Sequence, residues 1–313
     1  MTTSLLEYFF INTFFVLLVS PLFMGLIKKV KAHMQGRRGP PLLQMYYQLL
    51  KLFKKETVVS LNSSFVTLIA PYINIIFMLA ASLCVPLVFI PTANFGFGNV
   101  ILFLYLMVMA KIFMAFGGLD AGSSFGGMGS SREMTISAIF EPVVIIVVSA
   151  LAFVLKTFNI HEMFAATLVG PSLTNAALVL TGVALFIILI TETSRVPVDN
   201  PETHLELTMV HEAMILESSG PNLALMELSH AIKNTLLMAM LINILIPWGL
   251  AVTLTPISWL IGMLAFLFKG IVLAVIMGVF ESVTAKSRLF GLRTFFILAF
   301  SLAFVTIMFE LLV

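Results

Sequence analysis

Apolar runs such as PVVIIVVSALAFVL, residues 142–155, recur along this chain and bound its fold more tightly than any motif. A helix crossing ~30 Å of hydrocarbon needs ~20 predominantly apolar residues. Eight stretches meet that need, at about 5–27, 65–90, 99–117, 132–155, 173–191, 232–252, 256–281 and 292–312. Backbone polar groups inside lipid must be satisfied within the segment, so runs of this length read as helices and not as strands. The expected fold is all-α: a polytopic integral membrane protein of eight spans in one transmembrane domain, residues 1–313. Hydrophobic residues make up 60% of the chain, far above a soluble domain.

The first span lacks a preceding basic region and a small-residue cleavage site, so it reads as a retained helix and not a signal peptide. The single cysteine, Cys84, lies inside the second span. One thiol makes neither an intrachain disulfide nor an iron–sulfur cage, so metal redox chemistry would fall to partner chains. With the first terminus outside, 14 of the 17 lysines and arginines lie on inner segments, among them Lys28, Arg37, Arg38, Lys51, Arg132, Arg195 and Lys233. The positive-inside rule then sets both termini on the outer side, with cytoplasmic loops at about 28–64, 118–131, 192–231 and 282–291.

The first inner loop contains GRRGPPLLQMYYQLLKLFKKE, in which Leu42, Met45, Leu49 and Phe53 share a line that avoids Lys51, Lys54 and Lys55. This reads as an amphipathic helix at the interface, or as a simple basic topogenic loop. The second, GGLDAGSSFGGMGSSRE, lacks the GK[ST] and the preceding strand of a phosphate-binding loop. It reads as a flexible connector, or as backbone packed closely against another subunit.

The third inner segment concentrates charge. ETSRVPVDNPETHLELTMVHEAMILE, residues 192–217, holds six of the fifteen acids. Pro197 limits the helix before it. Asn200 as N-cap and Pro201 at the first position then predict a new helix. At about 100° per residue, Glu202, Glu206 and Glu217 project within about a 60° arc, with His204 and His211 nearly opposite. Neighbours such as Leu205, Met209, Val210 and Ile215 are too apolar for a free loop. Carboxylates held there gain proton affinity and pass protons near neutral pH, whereas a solvated acidic face would not. The histidines lack HExxH zinc spacing and suit packing or hydrogen bonding. Within the spans stand Lys111, Glu141 and Lys269, with Glu281 at an end. Each costs at least ~2.5 kcal/mol on insertion scales, which makes each a functional candidate.

Three stretches carry a resemblance: RRGPPLLQMYYQLLKLFKKE, GLDAGSSFGGMGSSRE and ETSRVPVDNPETHLELTMVHEAMILESSG. Together they resemble the NuoH-like membrane-anchor family of complex I and its hydrogenase relatives. The second is similar to the membrane subunits of formate hydrogenlyase and other energy-converting [NiFe] hydrogenases. In the third, Val198 replaces the aromatic residue of the complex I pattern, as in the Ech-type and archaeal membrane-bound hydrogenase branch. The resemblance implies an ion-translocating coupling and anchor subunit in the inner cell membrane, without a redox centre or cofactor of its own. Its implied partners are hydrogenase-like large and small subunits, iron–sulfur subunits carrying [4Fe-4S] clusters and a [NiFe] centre, and antiporter-like membrane subunits, with no nucleic acid. By motif position it implies an ion path through Glu141, Glu192, Asp199, Glu202, Glu206, Glu212 and Glu217, extended by the in-span Lys111 and Lys269. Arg195, His204, His211, Arg37, Arg38, Asp120, Arg132 and Glu133 would serve structure or partner contact. A quinone-chamber subunit of a complex I relative and a purely structural anchor are the competing readings.

Overall fold

The structure, a computed structural model, describes residues 2–91, 97–170, 175–200, 209–251, 255–287 and 291–312, with side chains from residue 7 onward. Eleven helices follow one another among these residues, with only two isolated β-bridges. They are α1 (Thr2–Met34), α2 (Gln44–Phe53), α3 (Phe65–Cys84), α4 (Val100–Asp120), α5 (Ser124–Leu155) and α6 (Ile160–Val169). There follow α7 (Ala176–Glu192), α8 (His211–Ile215), α9 (Gly220–Leu245), α10 (Pro256–Val283) and α11 (Leu292–Leu312). Short polar side chains start many of them: Ser64, Asn99, Asn159 and Asn175 each accept the N–H two residues on, as N-caps do.

Seven helices are long and apolar enough to cross a membrane: α1, α3, α4, α5, α9, α10 and α11. The fifth expected span coincides with α7, which at 17 residues is shorter than that length. The loops gather at two ends. At one, Asp120 at the end of α4 accepts hydrogen bonds from Ser64 and Thr67 at the start of α3. At the same end Ser287 N–H bonds the Pro197 carbonyl at 2.9 Å, and Ser219 exchanges two bonds with Val58. At the other end Ile90 N–H bonds Ala251, and Ile160 N–H bonds Gly98.

Two boundaries depart from expectation, and a third element decides between two readings. The Gly/Ser stretch is no flexible connector, because α5 begins at Ser124 and takes in all but its first residues. Its glycines serve close packing within the chain: a Cβ on Gly129 would stand 2.8 Å from the Ala213 Cβ and 2.9 Å from the Val210 carbonyl. A Cβ on Gly118 would likewise stand 2.7 Å from Ser130 Oγ, so α4, α5 and α8 meet at glycine distance. Next, α9 begins at Gly220, twelve residues before the expected span, and so draws Glu227 and His230 out of the loop and into one helix with Lys233. It is the least apolar of the seven and the most deeply buried, which is how polar residues persist at membrane depth. Last, α2 is an amphipathic helix, as one reading of the first loop had it. Met45 and Leu49 bury against Ala224 of α9, while Lys51, Lys54 and Lys55 stay exposed.

Candidate functional site

Two lysines and two carboxylates meet where α4, α5, α7 and α9 pass one another. Lys111 Nζ lies 3.1 Å from Glu192 and 3.8 Å from Glu141. Lys233 Nζ approaches the other oxygen of Glu192 at 2.7 Å. Glu192 is thereby clamped between two ammonium groups. Lys111 does not snorkel to the surface; its side chain is 5% exposed. Glu141 is 34% exposed and lines, with Glu192 at the same wall, an apolar cavity of about 370 Å³ between α4, α5, α7 and α9. Glu133, one of the expected contact residues, is buried within electrostatic reach of Lys111 and Lys233.

A second charged group lies where the turn after α7 meets α1 and α10. Arg195 Nη1 donates to Glu281 at 2.6 Å, and Lys31 approaches the same carboxylate at 3.5 Å. Asp199, almost wholly buried, accepts from Lys286 at 2.7 Å and from the N–H groups of Val210 and His211. Asp199 therefore ties the turn after α7 to the start of α8.

Between the groups, the His211 and His230 rings stand 4.3 Å apart. Burial, with Lys233 adding, pulls the His211 imidazole down to about 4, so it is neutral at pH 7. Beside it, burial and the neighbouring Glu227 push the Glu212 carboxyl up to about 7 against the pull of Lys28. Glu212 thus titrates in the physiological range.

The site gathers Lys111, Glu133, Glu141, Glu192, Arg195, Asp199, His211 and Glu212 from among the expected residues. It does not gather all of them. Lys269 donates to Asn243 and to the carbonyls of Ile246 and Trp248 at 3.0–3.2 Å, capping the C-terminus of α9 at the opposite end. Its α10 neighbour Glu281 is twelve residues further along, about 18 Å by helical rise. Arg37 and Arg38 are exposed, Asp120 caps α3, and Arg132 donates to the Met209 carbonyl at 3.0 Å. The expected helix from Pro201 with one carboxylate row through Glu217 is corrected in part. Met209 and Val210 are not helical, α8 starts anew at His211, and Glu217 lies beyond its end, exposed. Glu202, His204 and Glu206 lie outside the described residues.

Sequence reasoning missed Lys31, Glu227, His230 and Lys233 as members, and singled out Glu281 without its partners Arg195 and Lys31. One signal was legible: Gly220-Pro221 is a helix start of the Pro-at-first-turn kind, and it places Glu227, His230 and Lys233 on successive turns. Among the described residues, no three His, Cys, Asp or Glu side chains are placed to share a metal ion. The arrangement is one of fixed charges and exchangeable protons.

Comparison with known proteins agrees with this architecture. Hydrogenase-4 component C of Escherichia coli (strain K12) is 32% identical over 92% of this chain and 90% of its own length. Formate hydrogenlyase subunit 4 of the same organism is 29% identical over 87% of each. An NADH-quinone oxidoreductase subunit of Wolbachia pipientis wMel is 28% identical over 58% of each chain. A chain of the membrane-bound sulfane sulfur reductase, an archaeal respiratory membrane complex, superposes with a TM-score of 0.83 at 19% identity, covering 98% of this chain and 99% of that one. A family model described as NADH dehydrogenase matches residues 6–311, and the chain belongs to that family.

Proposed function

We propose that this chain is the ion-translocating coupling and anchor subunit of a membrane-bound [NiFe] hydrogenase-type respiratory complex. Its similarity to a hydrogenase-4 component and a formate hydrogenlyase subunit along nearly their whole lengths supports that assignment. Electron transfer would belong to partner subunits carrying [4Fe-4S] clusters and a [NiFe] centre, docked on the loop face around residues 35–64 and 193–219. Antiporter-like membrane subunits would take up the transported ion. That face would be cytoplasmic and the membrane the inner one, as the basic first loop suggests. Because α7 joins the two opposite loop sets, an eighth crossing with both termini outside accounts for the connections best.

The observation that carries the reading is the charged row Glu141–Lys111–Glu192–Lys233, in which Lys111, Glu192 and Lys233 are nearly buried and Glu141 opens to the cavity. Ionisable groups in a membrane interior persist where they pair with one another along an ion path. An anchor needs no such row at this depth. Redox events in the peripheral arm would change proton occupancy near Glu212, and the change would pass through Glu192 to Glu141.

The test uses the assembled complex in membrane vesicles. Glu192→Gln and Glu141→Gln should abolish ion transport while dye-linked hydrogenase turnover stays at the wild-type rate. Unchanged transport in both variants would overturn the reading.

A further inference from the structure

Two small cavities lie on either side of the histidine pair, and among the described residues Ser194, His211 and His230 line both. One, of about 20 Å³, is bordered by Lys111, Glu133, Glu192 and Lys233. The other, of about 30 Å³, is bordered by Lys28, Arg195, Glu212, Glu227 and Glu281. Each is polar and has room for a water molecule or two, since one water needs about 10–15 Å³ of such volume.

We infer that His211 and His230 form the proton-passing joint between the carboxylates at the loop face, Glu212 and Glu227, and those at membrane depth, Glu133 and Glu192. The inference rests on the ion-path reading above and assigns the step that reading leaves open. The rings are 4.3 Å apart and inclined at 40°, one on α8 and the other on α9. A neutral imidazole takes a proton at one ring nitrogen and releases the proton of the other. Each passage therefore moves one proton from the carboxyl of Glu212 or Glu227, through the pair and a bridging water, to the carboxylate of Glu133, beside the lysine-clamped Glu192. The pair itself ends with the charge it began with.

The surrounding charges suit transient and not standing protonation. Lys28 on α1, Arg195 after α7 and Lys233 on α9 repel an imidazolium, while Lys31 on α1 lines the outer cavity and Lys111 on α4 the inner one. Against them stand Asp199 after α7, Glu212 on α8, Glu227 on α9 and Glu281 on α10. Glu133 on α5 and Glu192 on α7 wait on the far side of the rings. A proton can cross such a balanced partition without being trapped in it.

The experiment compares His211→Gln, His230→Gln and the double variant with Glu192→Gln, each as the assembled complex in sealed vesicles. Glutamine keeps an amide hydrogen-bonding group and does not titrate. The double variant should lose ion transport by about 100-fold, the lower end of what a positioned proton-transfer group contributes, while dye-linked electron turnover stays unchanged. Wild-type transport in the double variant beside lost transport in Glu192→Gln would overturn the joint alone. Wild-type transport in Glu192→Gln as well would overturn the ion-path reading with it. Should the double variant fail to assemble, the single variants decide: slowed transport in both supports the joint, and wild-type rates in both refute it.

Discussion

Glu212→Gln isolates the carboxyl that the fold tunes to neutral pH. Burial and Glu227 hold its titration near 7, against 4.5 for an ordinary glutamate. The folded chain therefore keeps a proton that the unfolded chain releases across that interval. Stability from this group is fully present below pH 4.5, falls as pH rises toward 7, and stays low above it. An interval of about 2.5 pH units at about 1.4 kcal/mol each gives about 3 kcal/mol, which screening at this partly buried position reduces to about 2 kcal/mol. Glutamine mimics the protonated form. The variant should match wild type in thermal midpoint near pH 4.5 and exceed it above pH 7 by the equivalent of about 2 kcal/mol. Glu227→Gln removes the second-largest cause of the shift, so in that background the Glu212→Gln gain should shrink. Thermal unfolding of the purified protein in detergent, followed from acid to alkaline pH, measures both. A wild-type-to-variant difference that does not change with pH would refute the reasoning.

Further outcomes follow from the same contacts. Lys233→Met leaves Glu192 buried with one counter-ion in place of two, which should cost about 3–5 kcal/mol and lower the yield of folded protein, with Glu192→Gln in the same chain restoring part of it. Gly129→Val pushes a branched side chain into Ala213 and the Val210 carbonyl, and should lower the thermal midpoint by the equivalent of about 1–3 kcal/mol; Gly129→Ala should cost less. Lys269→Met removes three hydrogen bonds at the end of α9 and should reduce thermal stability while leaving ion transport per electron unchanged. Lost transport at normal stability would instead place Lys269 in the path.

Much of the architecture was written in local sequence, because span length and apolarity are local properties. The apolar runs at Phe65–Cys84 and Leu292–Leu312 emerge as helices close to their expected bounds. Glu141 and Lys111 stood out because a charge within an apolar run is visible without knowing its partner. What escaped was burial by protein instead of lipid. The first half of α9 is too polar to pass for a span, yet α1, α2, α3 and α7 pack around that helix, and its polar side chains are the ones the site uses. The Gly/Ser stretch escaped for the converse reason. Low intrinsic helix propensity argued for a loop, and close contact with α4 and α8 overrides it. The carboxylate arc assumed one helix unbroken as far as Glu217, whereas Met209 and Val210 are not helical and α8 starts at His211, with the Val210 and His211 N–H groups taken by the Asp199 carboxylate.

The geometry also bears on why an ion should move through such a place. Around Glu192 the chain sets three carboxylates, Glu133, Glu141 and Glu192, against two ammonium groups, Lys111 and Lys233. Glu192 takes up both lysines at close range, while Glu141 keeps only the longer 3.8 Å approach to Lys111 and faces the apolar cavity. With all three carboxylates ionised these five groups would carry one negative charge in excess, and at low dielectric an uncompensated charge is expensive. On the ion-path reading, a proton or a cation arriving from the loop face would neutralise it. Its departure leaves a vacancy that favours the next arrival. A small change in how Lys111 divides its attraction between Glu192 and Glu141 then decides which carboxylate holds the ion. On the reading proposed above, that division is where a redox event at the surface would bias transport within the membrane.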